Sequence, residues 1–249
     1  MRKIIIANFK MNTTPSAFKS YAMTLATKTK TCKNEVVVCP PYTHLYMANN
    51  MFRETNVLYG AQNISEEEKG AITGEISASM IKDLGASYTI LGHSERRYKF
   101  KENDKTINKK IKTALANGLK VILCVGENLQ ARENKQACLF VRTQLEEDLR
   151  GIYENELEGV VIAYEPLWTI GTGKTMTSKD LTKMIETIRK EVADLYSEKA
   201  GKSINIVYGG NVNLSNYKKL LDNDQLNGAL IGEAALDVDN FAIICKENY

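Results

Sequence analysis

Three side chains capable of acid–base or electrostatic chemistry each follow a short apolar run. Glu165 comes directly after the run 160–164, in the segment 163–175, Ala-Tyr-Glu-Pro-Leu-Trp-Thr-Ile-Gly-Thr-Gly-Lys-Thr. A carboxylate at the end of a buried strand lies at a rim, where partial loss of water raises its proton affinity and suits it to act as a base. Pro166 stiffens the exit, and Gly171 and Gly173 permit a loop whose backbone can approach a ligand closely. His93 follows the run 88–92 and can polarise a carbonyl oxygen or shuttle a proton. Lys10 follows the first run and supplies a fixed positive charge. The turns Gly209-Gly210-Asn211 and Gly232-Glu233-Ala234 follow two further runs, and their backbone N–H groups can face an anion. A small carbonyl compound carrying a phosphate would satisfy all of these groups together.

These residues lie far apart in the chain, so the elements between them must gather them. Eight strand-length apolar runs recur, at 3–7, 36–39, 57–61, 88–92, 120–125, 160–164, 204–208 and 228–231. Most lack the polar alternation of a sheet with one wet face, which predicts burial on both sides. Helical patterns alternate with them. The clearest spans 178–195, where Leu181, Met184, Ile185, Ile188, Val192 and Leu195 form one apolar stripe behind an expected N-cap at Ser178. Stretches 107–115 and 139–152 behave similarly, and 77–85 ends on a glycine suited to a helix C-cap. Strand–helix repetition implies parallel strands joined by crossovers. Eight such units in 249 residues favour one α/β domain, 1–249, closed as a (β/α)8 TIM barrel, over a doubly wound open sheet. In a barrel, the residues that follow each strand meet around one mouth.

Composition excludes several alternatives. With 33 basic and 30 acidic residues, the net charge of +3 gives no broad phosphate-neutralising surface, so no nucleic-acid partner is expected. No run of 18 apolar residues is present and no membrane association is expected. The first apolar run is too short for a signal peptide. Five cysteines without metal-like clustering read as reduced thiols of a cytoplasmic protein with no metal site. The string 171–175 fails as a P-loop because Trp168 stands where that motif needs glycine, and a dinucleotide fingerprint fails at Met176.

The chain resembles the triosephosphate isomerase family over nearly its full length. The resemblance rests on 8–12 (Asn-Phe-Lys-Met-Asn), 60–63, 70–77, 91–97 (Leu-Gly-His-Ser-Glu-Arg-Arg), 124–127, 164–174 and 208–210. It implies interconversion of dihydroxyacetone phosphate and D-glyceraldehyde 3-phosphate through an enediolate, without cofactor. It also implies Glu165 as base, His93 as electrophile and Lys10 as electrostatic support, with Asn8 positioning the substrate and Glu95 assisting near the lysine. Gly171, Asn211, Gly232 and Glu233 correspond to backbone donors for the phosphate. Ile170 and Leu230 resemble apolar clamps on Glu165, in a loop 166–176 that closes over the ligand. Tyr208 resembles its latch, and Glu127 resembles the partner of the Trp168 indole. The loop from Glu66 to Gly74 resembles a protrusion that enters a second copy, with Thr73 near Lys10 of the partner subunit. A homodimer is therefore expected.

The departures are specific. Phe9 stands where the family usually has Trp, Thr169 and Met176 where it commonly has Ala, and Asn211 where Ser is typical. Asn227 replaces a frequent Asp, which puts an ion pair with Arg189 in doubt. Glu233 replaces a frequent Gly and brings a carboxylate to the phosphate turn. Taken singly, Lys10 reads as a solvated lysine, Glu165 as a surface acid and His93 as an even choice between structural and functional. Their joint appearance after the first, fourth and sixth runs favours catalysis. The competing readings are a barrel acting on a larger phosphosugar and an inactive binding paralogue.

Overall fold

Branched and aromatic residues crowd eight short strands, and their alternate side chains enter two different cores. The computed structural model describes residues 2–169, 172, 174 and 176–249. The strands are β1 Ile4–Asn8, β2 Glu35–Cys39, β3 Val57–Ala61, β4 Tyr88–Leu91, β5 Lys120–Val125, β6 Val160–Tyr164, β7 Asn205–Tyr208 and β8 Gly228–Ile231. They pair in parallel in chain order, and β1 pairs with β8 to close the barrel. Ile6, Val37, Ile90, Ile122, Val161 and Val207 belong to the core inside the barrel. Ile5, Val36, Leu91, Val121, Val160 and Ile206 join the larger core between barrel and helices. Both faces are thus dry, which explains the missing polar alternation.

The helices are α1 Pro15–Lys28, α2 Leu45–Phe52, α3 Ala78–Asp83, α4 Ser94–Lys99, α5 Asp104–Ala116, α6 Leu129–Glu133, α7 Ala137–Asp148, α8 Ser178–Leu195, α9 Glu198–Ser203, α10 Tyr217–Leu221 and α11 Val238–Lys246. In α8 the stripe residues Leu181, Met184, Ile185, Ile188 and Val192 are buried, whereas Leu195 at the last turn is 39% exposed. The N-cap is Thr177 rather than Ser178, because the Thr177 hydroxyl accepts from the Asp180 N–H. The stretch 77–85 divides into an Ser77 cap, the helix α3 and Gly85, whose φ of +80° ends the turn. The stretch 139–152 ends its helix at Asp148, with Gly151 at φ +68° beyond it. Among the described residues, no helix is long and apolar enough to cross a membrane.

The doubtful Arg189 contact persists in another form. One guanidinium nitrogen donates to the carbonyls of Gly201, Lys202 and Ile204, and the other to Gln225 O and, at 3.4 Å, to Asn227 Oδ1. Asn227 Oδ1 also accepts from Ile206 N–H, so the amide still ties β7 to the approach of β8.

The mouth is set by close backbone approach. At Gly126, just past β5, a Cβ would lie 1.8 Å from the Glu165 carbonyl oxygen. Backbone cannot yield as a flexible side chain can, so Gly126→Ala is expected to destabilise the fold by about 3 kcal/mol or more. A lower urea midpoint at unchanged slope checks this; an unchanged midpoint would show that the two strand ends separate freely.

Candidate active site at the barrel mouth

Lys10 is held in a conformation that a lysine seldom adopts. Its φ is +50°, in the left-handed region. Its N–H donates to Asn8 Oδ1 at 3.0 Å, and its carbonyl accepts from Gln62 Nε2 at 2.9 Å. Gln62 Nε2 also donates to the carbonyl of Cys39, fastening the turn to the end of β2. This clamp offsets strain of about 1–3 kcal/mol and aims the ammonium across the mouth, where Nζ donates to Glu95 Oε1 at 3.0 Å. Burial alone would raise the Glu95 carboxyl, but the hydrogen bond and charge of Lys10 outweigh it and hold its pKa below the ordinary value. This pairing stabilises the fold above the ordinary carboxylate pKa and is lost as pH falls through the depressed one.

His93 caps the N-terminus of α4. Its Nδ1 accepts from the Glu95 N–H at 3.2 Å. An imidazole nitrogen that accepts carries no proton, so the ring proton resides on Nε2. Nε2 faces Glu165 Oε1 at 3.2 Å. The other carboxylate oxygen of Glu165 accepts from the Ser94 N–H at 3.1 Å, and the residue is 2% exposed. Space for this carboxylate comes from β7, since a Cβ on Gly209 would lie 2.9 Å from Glu165 Cγ. Cys124 lies below it; burial first, and the Glu165 charge second, push its thiol up and keep it protonated.

These groups open into one cavity of about 520 Å³ lined by Asn8, Lys10, His93, Glu165, Asn211, Leu230, Gly232 and Glu233. Among the described residues, no acceptor faces the backbone N–H groups of Asn211, Gly232 or Glu233. The arrangement joins a base, a neutral N–H donor, an ammonium and free amides around one small volume, as proton transfer beside a carbonyl requires. Gly171 and Ile170 lie outside the described residues. Asp237, Asn213 and Asn240 also line the cavity and were not singled out in the sequence. Asp237 carried the signal of a helix N-cap, and its Oδ1 accepts from the N–H groups of Asp239 and Asn240.

Arg97 is the supporting residue that sequence reasoning missed. It donates to the carbonyls of Gly92 and Cys124 and pairs with Asp104 and the fully buried Asp148. Burial raises the Asp148 carboxyl against the pull of Arg97. This cluster braces the turn that carries His93 from below. Nothing local in the sequence links Asp148 at the end of α7 to that turn.

Near the start of the loop after β6, the Trp168 indole donates to Glu127 Oε1 at 2.8 Å, and Arg132 stacks on its ring at 3.9 Å. Arg132 pairs in turn with Asp180 at 3.0 Å. Tyr164 also donates to Glu127, which is fully buried.

The family model for triosephosphate isomerase matches residues 3–248. The chain belongs to the triosephosphate isomerase family. It is 44% identical over 243 residues to triosephosphate isomerase from Thermoanaerobacter pseudethanolicus, covering 98% of each chain. It is 44% identical over 245 residues to the triosephosphate isomerase of Clostridium tetani, covering 98% of this chain and 96% of that one. The crystal structure of triosephosphate isomerase from Bartonella henselae superposes with a TM-score of 0.89 at 35% identity, covering 98% of both chains. The chain is therefore an enzyme of the family's kind, built on the family's barrel.

Trp168 is the only tryptophan, so its fluorescence reports the contact with Glu127 directly. Burial raises the Glu127 carboxyl, although the Trp168 and Tyr164 hydrogen bonds oppose the shift. A fluorescence transition with its midpoint above the ordinary value of 4.5 is expected, absent in Glu127→Gln. A midpoint at or below that value would contradict the assigned environment.

Proposed function

We propose that Glu165, His93 and Lys10 carry out the interconversion of dihydroxyacetone phosphate and D-glyceraldehyde 3-phosphate at the barrel mouth. Glu165 releases the Ser94 N–H, turns to the substrate and removes a proton from the carbon beside the carbonyl. The His93 Nε2–H donates to the carbonyl oxygen as an enediolate develops. A preorganised donor of this kind contributes about 3–4 kcal/mol to a developing oxyanion. The Lys10 ammonium stabilises the same charge, Glu95 fixes the ammonium, and Asn8 sets the turn from which it projects. The N–H groups of Asn211, Gly232 and Glu233, joined by Gly171, hold the phosphate. The loop 166–176 covers it, with Ile170 and Leu230 excluding water from the carboxylate. The observation that carries this reading is the 3.2 Å approach of His93 Nε2 to Glu165 in a cavity that also holds Lys10 and free amides.

A homodimer completes the site in this proposal. The base of the loop from Glu66 to Gly74 is tied down: Ser65 N–H donates to Ile76 O, Thr113 donates to Glu66 O, and Lys109 pairs with Glu66. Its tip, including Thr73, is exposed, and Ile72 is 45% exposed. Met11, next to Lys10, is 96% exposed. A second copy inserting Thr73 beside Lys10 would cover both apolar side chains. All five cysteines are free, which supports a cytoplasmic setting.

A coupled assay on the pure protein should show isomerisation without added cofactor. Glu165→Asp withdraws the base by one methylene, a displacement expected to lower kcat about 10²-fold with a smaller effect on ligand binding. Retained turnover would remove Glu165 from its role. Sedimentation should give about twice the 27.9 kDa chain mass. Thr73→Arg should shift it toward one copy and lower activity in parallel; a single-copy species with full activity would refute the dimer proposal.

A further inference from the structure

The phosphate turn carries a feature that the proposed reaction does not need. Gly232, Glu233 and Ala234 line the cavity, and the turn Glu233–Ala235 follows β8 directly. Among the described residues the Glu233 N–H faces no acceptor, while the side chain of the same residue ends in a carboxylate, tethered to that donor through Cα. The side chain is exposed and makes no hydrogen bond or ion pair among the described residues. The other acids of the cavity are engaged: Glu165 by His93 and Ser94, and Asp237 by two amides at the start of α11. Lys10 is the one cation among the described lining residues, and Glu95 already neutralises it.

From this geometry we infer that Glu233 weakens anion binding at the phosphate turn and sets the affinity of the site for phosphorylated ligands and for inorganic phosphate. The inference deepens the proposed isomerase reading and rests on it for the identity of the substrate. Its physical basis is a tether. The carboxylate hangs from the same residue that donates to the anion, so every rotamer keeps it within about one Debye length, roughly 8 Å at physiological salt. A solvated charge at such a distance acts through a high dielectric, so the effect is a moderate change in affinity rather than exclusion. The repulsion acts on bound substrate, intermediate and product alike, and therefore falls mainly on KM and on product retention rather than on kcat. Glu233 is in this sense an affinity-setting residue, distinct from the groups that move protons.

The test is inorganic phosphate binding to the full chain, by calorimetry and by competitive inhibition, in wild type, Glu233→Gln and Glu233→Gly. At about 0.01 M ionic strength, where the Debye length is about 30 Å, Glu233→Gln should bind phosphate about threefold to tenfold more tightly. At about 1 M, where it is about 3 Å, the gain should vanish. KM for the triose phosphate should fall by a similar factor, with a smaller change in kcat. Unchanged or weaker phosphate binding by Glu233→Gln at low salt would overturn the inference. Tightening only in Glu233→Gly would also overturn it, because that result assigns the effect to bulk rather than charge. Loss of isomerase activity in wild type with the predicted phosphate response intact would sink the proposed reaction and leave the electrostatic role standing.

Discussion

Everything at the mouth depends on closing eight parallel strands into a ring, and the seam is β1 against β8. Ile4 registers with Gly228, and a Cβ on Gly228 would lie 1.8 Å from the Ile4 carbonyl oxygen. Only a bare backbone permits that approach. Closure there puts Lys10, from the start of the chain, beside Gly232 near its end, with Lys10 Cε 3.5 Å from the Cβ position of Gly232. An open sheet of the same strands would leave Lys10 and Gly232 at opposite edges. The buried strands supply the rigidity, and the turns that follow them supply the chemistry.

Within that frame, three glutamates meet three environments. Glu165 is buried against a neutral imidazole and one amide, with space cleared by Gly209. Glu95 is half-exposed and bound to an ammonium, which holds it ionised. Glu127 is fully buried beneath Trp168 and Tyr164, and burial raises its pKa. In the proposed reaction one residue type thus serves as proton acceptor, electrostatic anchor and loop support, separated by burial and partner alone. The His93 ring links the first two: the Glu95 N–H occupies Nδ1 and leaves the Nε2 proton directed at the cavity.

Much of this was legible in the sequence because it follows from local rules. The eight apolar runs matched the strands with shifts of about one residue at several ends, as in β1, which begins at Ile4 and reaches Asn8. Lys10, His93 and Glu165 were legible because each follows a strand, and parallel closure brings strand ends together. The turns at 209–211 and 232–234 that line the cavity were marked by glycine. The helix caps were less legible: Thr177 and Ser178 are both chemically competent, and only backbone geometry selects Thr177. The Arg97–Asp148 brace was invisible because its partners come from different helices and neither has a local pattern announcing the other. The clamp of Gln62 on Lys10 was hidden similarly, since Gln62 lies 52 residues away and no glycine marks the positive φ of Lys10.

In the proposed reaction a carbon-bound proton leaves the substrate for Glu165 and the site holds the resulting enediolate. Turnover of dihydroxyacetone phosphate in deuterated water, followed by proton NMR of the product, tests this most directly. A carboxylate that exchanges its proton with solvent predicts deuterium on the carbon next to the carbonyl of D-glyceraldehyde 3-phosphate. Product formed at full rate with only protium at that carbon would show no enediolate that exchanges with solvent and would contradict the account.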